Sequence, residues 1–165
     1  IASYNNPNDI VAPSIEQLIS NNLQIKYWWL DLKNLNSFNA NEISEKILDL
    51  SSKYKTNTIL IESHDFIGLW LLNTKPDDVY KIYWLAKGPN KNSLAHWSTP
   101  LYYLRSVLAN IIIDPDFVSM FHYQVSRSDY LWVGKRKRFA FTINNIKDYN
   151  ILSDMRVSVM LTDNL

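Results

Sequence analysis

Glu62, His64 and Asp65 fall close together in Glu62-Ser63-His64-Asp65. Two carboxylates beside an imidazole can pass a proton or hold a metal ion. The plainer reading is the polar tip of a β-hairpin, because Ser and Asp favour turns. Composition sides with the plainer reading: the chain has 3 His and no Cys. No second group of His or carboxylate residues shows zinc-like spacing.

Ligand capture is a second chemistry the residues could support. Trp28, Trp29, Tyr83, Trp84, Trp97, Tyr102 and Tyr103 accompany one cation, Arg105. Aromatic walls with a guanidinium clamp suit a small polar or anionic molecule. Packing on a sheet face is the competing account, because aromatics prefer strands. Within this set, Trp84, Trp97, Tyr102 and Arg105 are the candidate ligand-binding residues. Lys135-Arg-Lys-Arg138 could meet phosphate or lipid headgroups. It also fits a solvated turn whose charges protect an edge strand. Ser98 and Ser126 with His96 and His122 form no nucleophile arrangement, and no Gly-x-Ser-x-Gly elbow occurs. The residues alone make no case for catalysis, a metal site or a cofactor.

These side chains need a folded scaffold, and the composition supplies one. The 165 residues are 47% hydrophobic and 13% aromatic, which fits a single domain with a real core and argues against disorder. With only 3 Gly, a glycine-rich phosphate loop is excluded. A net charge of +1 gives no basic field for nucleic acid. The absence of Cys excludes disulfides and thiolate metal sites. No apolar run is long enough to span a membrane. The ends at Ile1 and Leu165 suggest a piece of a longer protein; if that protein has membrane-spanning helices, they lie outside this piece.

Periodicity and turn chemistry then place the elements. Ser14 caps a short helix over 15–22. The aromatic run 23–32 favours a strand. Asn39 with Glu42 forms a variant capping box for an amphipathic helix over 40–54. A hairpin is expected over 58–73, turning near Ser63-His64-Asp65. Strands follow at 79–85 and 107–113, then a turn at Asp114-Pro115-Asp116 and a short apolar element at 117–121. A second hairpin spans 130–143, turning at Gly134-Lys135-Arg136-Lys137. Residues 147–153 read as a polar connection, and 155–161 as a half-buried final strand. The expected fold is α+β, a central antiparallel sheet of about five strands with N-terminal helices packed on one face. Ile43, Ile47, Leu50, Ile59, Ile61, Leu69, Leu71, Ile111, Ile113 and Val159 should form its core.

With the elements laid out, Ile82-Tyr-Trp-Leu-Ala-Lys-Gly-Pro89, Ser98-Thr-Pro-Leu-Tyr102, Ile111 to Phe121 and Asp154-Met-Arg-Val-Ser-Val159 carry a resemblance. Over roughly residues 55–165 the chain resembles PAS-like extracytoplasmic sensor domains of the Cache type. More narrowly, it is similar to the periplasmic regions of the Rcs phosphorelay sensor kinase and its phosphotransfer partner. The resemblance implies a non-catalytic periplasmic sensor of a two-component signalling protein, anchored at a bacterial inner membrane. Its implied partners are a small polar or anionic ligand or a periplasmic protein, with a homodimer as an option. The alternative is a cytoplasmic α+β interaction or adaptor module. No ligand residue carries over, because the matched motifs are structural.

Overall fold

The computed structural model describes residues 13–72, 76–85, 99–125 and 137–163. Six strands form one sheet: β1 (Tyr27–Asp31), β2 (Thr58–Ser63), β3 (Val79–Trp84), β4 (Phe117–Phe121), β5 (Lys137–Phe141) and β6 (Val159–Met160). They lie side by side in chain order, and every neighbouring pair is parallel. Parallel neighbours need a crossover between them, which here is mostly a helix. Helix α1 (Ile15–Asn21) precedes β1, and α2 (Ala40–Lys53), α3 (Phe66–Leu71) and α4 (Thr99–Ile112) fill the first three crossovers. Helix α5 (Ile146–Asp154) joins β5 to β6. Right-handed crossovers in strict sequential order put the helices on one face, as in a β/α-barrel rather than a doubly wound sheet. The sheet is a curled half-barrel.

The expected antiparallel PAS/Cache-like sheet is therefore wrong, and three elements explain why. The segment 66–71 is a helix because Asp65 caps it, its carboxylate accepting a hydrogen bond from Gly68 N at 2.6 Å. The same Asx chemistry serves a turn and a helix start, so Ser63-His64-Asp65 opens a helix and not a hairpin. The segment 107–113, read as a strand, belongs to α4. There Ala109 and Ile113 are buried one helical turn apart, while Leu104, Leu108, Ile111 and Ile112 are exposed. The polar connection 147–153 is α5, started by Asn145, whose side chain accepts from Asp148 N at 2.8 Å. With helices in place of the hairpin turns, successive strands pair in parallel.

The second hairpin fails for the same reason. Its first arm, 130–133, and most of its turn lie outside the described residues. Its second arm is β5, which pairs in parallel with β4 and β6. Lys137 and Arg138 thus belong to a strand and not a turn. The final strand is only two residues long. Arg156 has φ 56, a left-handed conformation that breaks extended geometry just before it.

The N-terminal expectations fare better. Ser14 caps α1 through a full capping box with Gln17. Helix α2 runs over nearly the expected span, but Asn39 makes no side-chain cap. Its Oδ1 instead accepts from Asn36 N at 2.9 Å, and its Nδ2 donates to Asn34 O at 2.8 Å, folding the preceding loop.

Period-two alternation sorts the strand residues between two faces. Leu30, Ile59, Ile61, Val79, Tyr83, Val118, Met120 and Ala140 point toward the helices and are buried. They meet Ile47, Leu50, Leu69, Ala109, Ile113 and Leu152 in one core. Ile43, Leu71 and Val159 are only half-buried, and Ile111 is 71% exposed, so these four expected core residues are corrected. Arg138 also points to the helix side at 1% exposed, its guanidinium donating to the Met155 carbonyl. The other face is concave and carries a different set of residues.

Candidate functional site

Register places Trp29 and Asp31 of β1, Leu60 and Glu62 of β2, and Tyr80, Ile82 and Trp84 of β3 on the concave face. Phe117, Ser119 and Phe121 of β4 and Phe139 and Phe141 of β5 continue it. Ring contacts confirm the assignment. Trp29 meets Phe139 at 5.2 Å, Phe139 meets Phe117 at 4.7 Å, and Phe117 meets Tyr80 at 5.8 Å between centroids. Nearer the carboxyl ends of the strands, Trp84, Phe121 and Phe141 touch one another edge to face.

Glu62 is the polar centre of this aromatic face. It is 4% exposed. Its Oε2 accepts from Trp29 Nε1 at 2.7 Å, and its Oε1 accepts from the hydroxyl of Ser119, which is itself fully buried. Burial pushes the Glu62 carboxyl up to about 7, with a further push from the nearby Asp31 charge. The hydrogen bonds from Ser119 and Trp29 and the charge of Lys33 work against that rise. A carboxyl that titrates near neutrality can give or take a proton in a reaction.

Charge gathers just beyond it. Asp31 ends β1, and Lys33 follows two residues later, its Nζ 2.5 Å from Asp31 Oδ2. The Lys33 side chain is 58% exposed. Its ammonium also lies 4.5 Å from the Trp84 ring centroid, a cation–π contact. His64, just past β2, is exposed and meets Trp84 edge-on at 5.9 Å. Asp31, Lys33, Glu62 and His64 thus collect at the carboxyl ends of β1 and β2. Among the described residues, no group of three or more His, Asp or Glu comes together to hold a metal ion.

Of the candidate ligand residues, Trp84 stands at the end of β3 on the concave face. Among the described residues its Nε1 is buried without a hydrogen-bond partner. The backbone places Tyr102 and Arg105 in α4, and Trp97 lies outside the described residues. The acid–base cluster divides: Glu62 and His64 belong to the site, whereas Asp65 is spent as the cap of α3. Sequence reasoning missed Asp31, Lys33 and Ser119. A signal was present in Asp31-Leu32-Lys33, where alternate positions at a strand end share one face.

No family model matches the sequence, and no curated protein matches it. Solved structures do match. The chain shares their fold. One is described as a glycerophosphodiester phosphodiesterase from Galdieria sulphuraria, with TM-score 0.63 and 16% identity, over 91% of this chain and 59% of that one. Another is an Oleispira antarctica phosphodiesterase in complex with its product sn-glycerol-3-phosphate, with TM-score 0.59 and 14% identity, over 92% and 57% of the two chains. A Silicibacter pomeroyi protein described as a glycerophosphoryl diester phosphodiesterase matches with TM-score 0.57 and 15% identity, over 90% and 50%. The chain therefore spans between half and three-fifths of the length of each.

These matches complete the correction. The resemblance to Cache-type sensors and to the Rcs periplasmic regions is overturned by an all-parallel sheet shared with phosphodiesterases. The signal-transducing reading rested on that resemblance and falls with it, and the non-catalytic expectation, drawn also from the lack of a nucleophile motif, is overturned by the same matches. The adaptor alternative gains no support. Among the described residues no helix is long and apolar enough to cross a membrane.

Proposed function

We propose that this chain forms part of a phosphodiester-cleaving β/α-barrel site. The observation that carries the reading is the convergence of Lys33, Asp31, Glu62 and His64 at the carboxyl ends of β1 and β2. That is the end of the sheet where β/α-barrel enzymes build their active sites. Fold alone does not specify chemistry, so the argument rests on what these groups can do. The exposed Lys33 ammonium neutralises a phosphate oxygen and is aimed by Asp31 and the Trp84 ring. Hydrolysis breaks one P–O bond, adds a water oxygen to phosphorus and returns a proton to the departing alkoxide. His64 is the accessible proton carrier at the mouth, and Glu62 the buried one behind it. The proteins sharing the fold are described as glycerophosphodiester phosphodiesterases, so a glycerol-linked diester is the first substrate to try.

The test is release of glycerol 3-phosphate from sn-glycero-3-phosphocholine, and of nitrophenol from bis(4-nitrophenyl) phosphate. Activity on either that falls at least about tenfold in Lys33→Ala supports the reading, since a charged hydrogen bond to phosphate contributes on this order. Absence of hydrolysis of both by the wild-type protein, across neutral pH and with divalent cations supplied, would overturn it.

A further inference from the structure

The aromatic rings beyond Glu62 are unusual company for an anion site. Trp84, Phe121 and Phe141 end three successive strands, β3, β4 and β5, and stay half-buried rather than buried. Their centroids lie 5.8, 6.0 and 5.0 Å apart, so they form one continuous wall. Tyr123 extends it outward: its ring stacks on Phe121 at 5.4 Å and 11° and is itself 70% exposed. The phosphate-binding cation is in direct contact with this wall through Trp84. Between these rings and the amino ends of the strands lies a buried layer of Glu62, Ile82, Ser119 and Phe139. Half-buried rings flank that layer on both sides, Trp29 and Tyr80 on one and Trp84, Phe121 and Phe141 on the other, and it is the second set that lies beside Lys33, in contact through Trp84.

We propose that Trp84, Phe121, Phe141 and Tyr123 form a subsite for an apolar substituent, aryl or alkyl, on the phosphate ester held by Lys33. The inference rests on the phosphodiester reading and narrows it to esters with a hydrophobic arm. Lys33 Nζ lies over the Trp84 ring, and Trp84 touches Phe121 and Phe141, so a group attached to a phosphate at Lys33 starts at the edge of this wall. Aromatic walls stack flat groups and bury alkyl chains. Burying one such group yields about 1.5–3 kcal/mol, or roughly 10- to 100-fold in affinity.

Calorimetric titration of the protein with phenyl phosphate and with inorganic phosphate tests this without needing turnover. The subsite predicts that phenyl phosphate binds at least about tenfold more tightly, and that Tyr123→Ala and Phe121→Leu each erode that advantage while leaving inorganic phosphate affinity unchanged. Tyr123 is exposed, so its truncation leaves the fold intact; Phe121→Leu keeps most of the buried volume. Equal affinity for the two ligands, or an advantage untouched by both variants, overturns the subsite and leaves the phosphodiester reading standing. If neither ligand binds while the diesters are still hydrolysed, the subsite falls and the phosphodiester reading stands; if neither ligand binds and neither diester is hydrolysed, both fall.

Discussion

Trp29 Nε1 donates a hydrogen bond to Glu62 Oε2 at 2.7 Å, tying β1 to β2 across the concave face. The contact joins the two strands whose ends carry the charged residues of the site. It also favours the carboxylate of a group that burial drives toward the neutral acid. Trp29→Phe keeps the ring near Phe139 but removes the donor. The Glu62 carboxyl should then titrate above its present value of about 7. Carbon-13 NMR of the Glu62 side-chain carboxyl reads the change directly, and an unaltered or lowered titration midpoint would contradict the geometry.

Glu62 sets a pH dependence of stability with a defined sign. Its pKa rises from 4.5 to about 7 on folding. The folded state therefore holds more protons than the unfolded one within that window, and stability falls as pH increases. The contribution is complete below pH 4.5 and is lost as pH climbs to about 7. The whole change is on the order of 3 kcal/mol. Glu62→Gln cannot ionise and keeps a similar shape. Urea unfolding of both proteins between pH 4.5 and 7.5 should show the wild type losing stability relative to the variant. Parallel curves would rule the linkage out.

Gly68 marks a close approach. A Cβ at this position would meet Leu35 Cγ at 2.7 Å and Asn36 N at 3.0 Å. Helix α3 is thus seated directly on the loop after β1, which presents Lys33. Gly68→Ala should destabilise the protein by about 1–3 kcal/mol, the usual cost of overpacking. It should also weaken phosphate binding by shifting that loop. A stable variant with normal binding would show that the loop can yield.

Ile47 anchors α2 on the convex face and is 3% exposed. Ile47→Ala should cost roughly 2–5 kcal/mol, as for other truncated buried aliphatics. The site lies on the opposite face, so phosphate affinity measured well below the melting temperature should be unchanged. An unaltered melting midpoint would mean that α2 does not dock through this residue.

Asn145 supplies the cap of α5, and its Oδ1 accepts from Asp148 N. Asn145→Ala should cost about 1 kcal/mol. The same change should free Asp148, whose carboxylate also accepts from Asn145 Nδ2 at 2.6 Å and lies 3.7 Å from His122 Nε2. Thermal unfolding reads the loss of the cap, and a midpoint equal to that of the wild type would contradict it.

Local sequence determined local structure. Ser14-Ile-Glu-Gln17 contains its own capping box, and α1 forms where that signal stands. Ile47 and Leu50 recur at helical spacing, and Ile59 and Ile61 alternate, so α2 and β2 were legible with their large buried aliphatics, though not with the buried Ala40, Ser44, Ser51 and Ser63. What sequence could not decide was pairing. A β-branched run such as Ile111-Ile112-Ile113 satisfies strand propensity and a helix packed by Ala109 and Ile113 alike, and only tertiary burial separates them. Once 66–71, 99–112 and 146–154 are helices, each strand's neighbour must arrive by a crossover, and the sheet becomes parallel. Glu62 and His64 stood out in the sequence as reactive types, but nothing in the sequence set them beside Lys33 and Ser119. Ser119 lies 57 residues beyond Glu62. That juxtaposition comes from curling four parallel strands into one concave face, and it is burial on that face which turns an ordinary glutamate into one that titrates near neutrality.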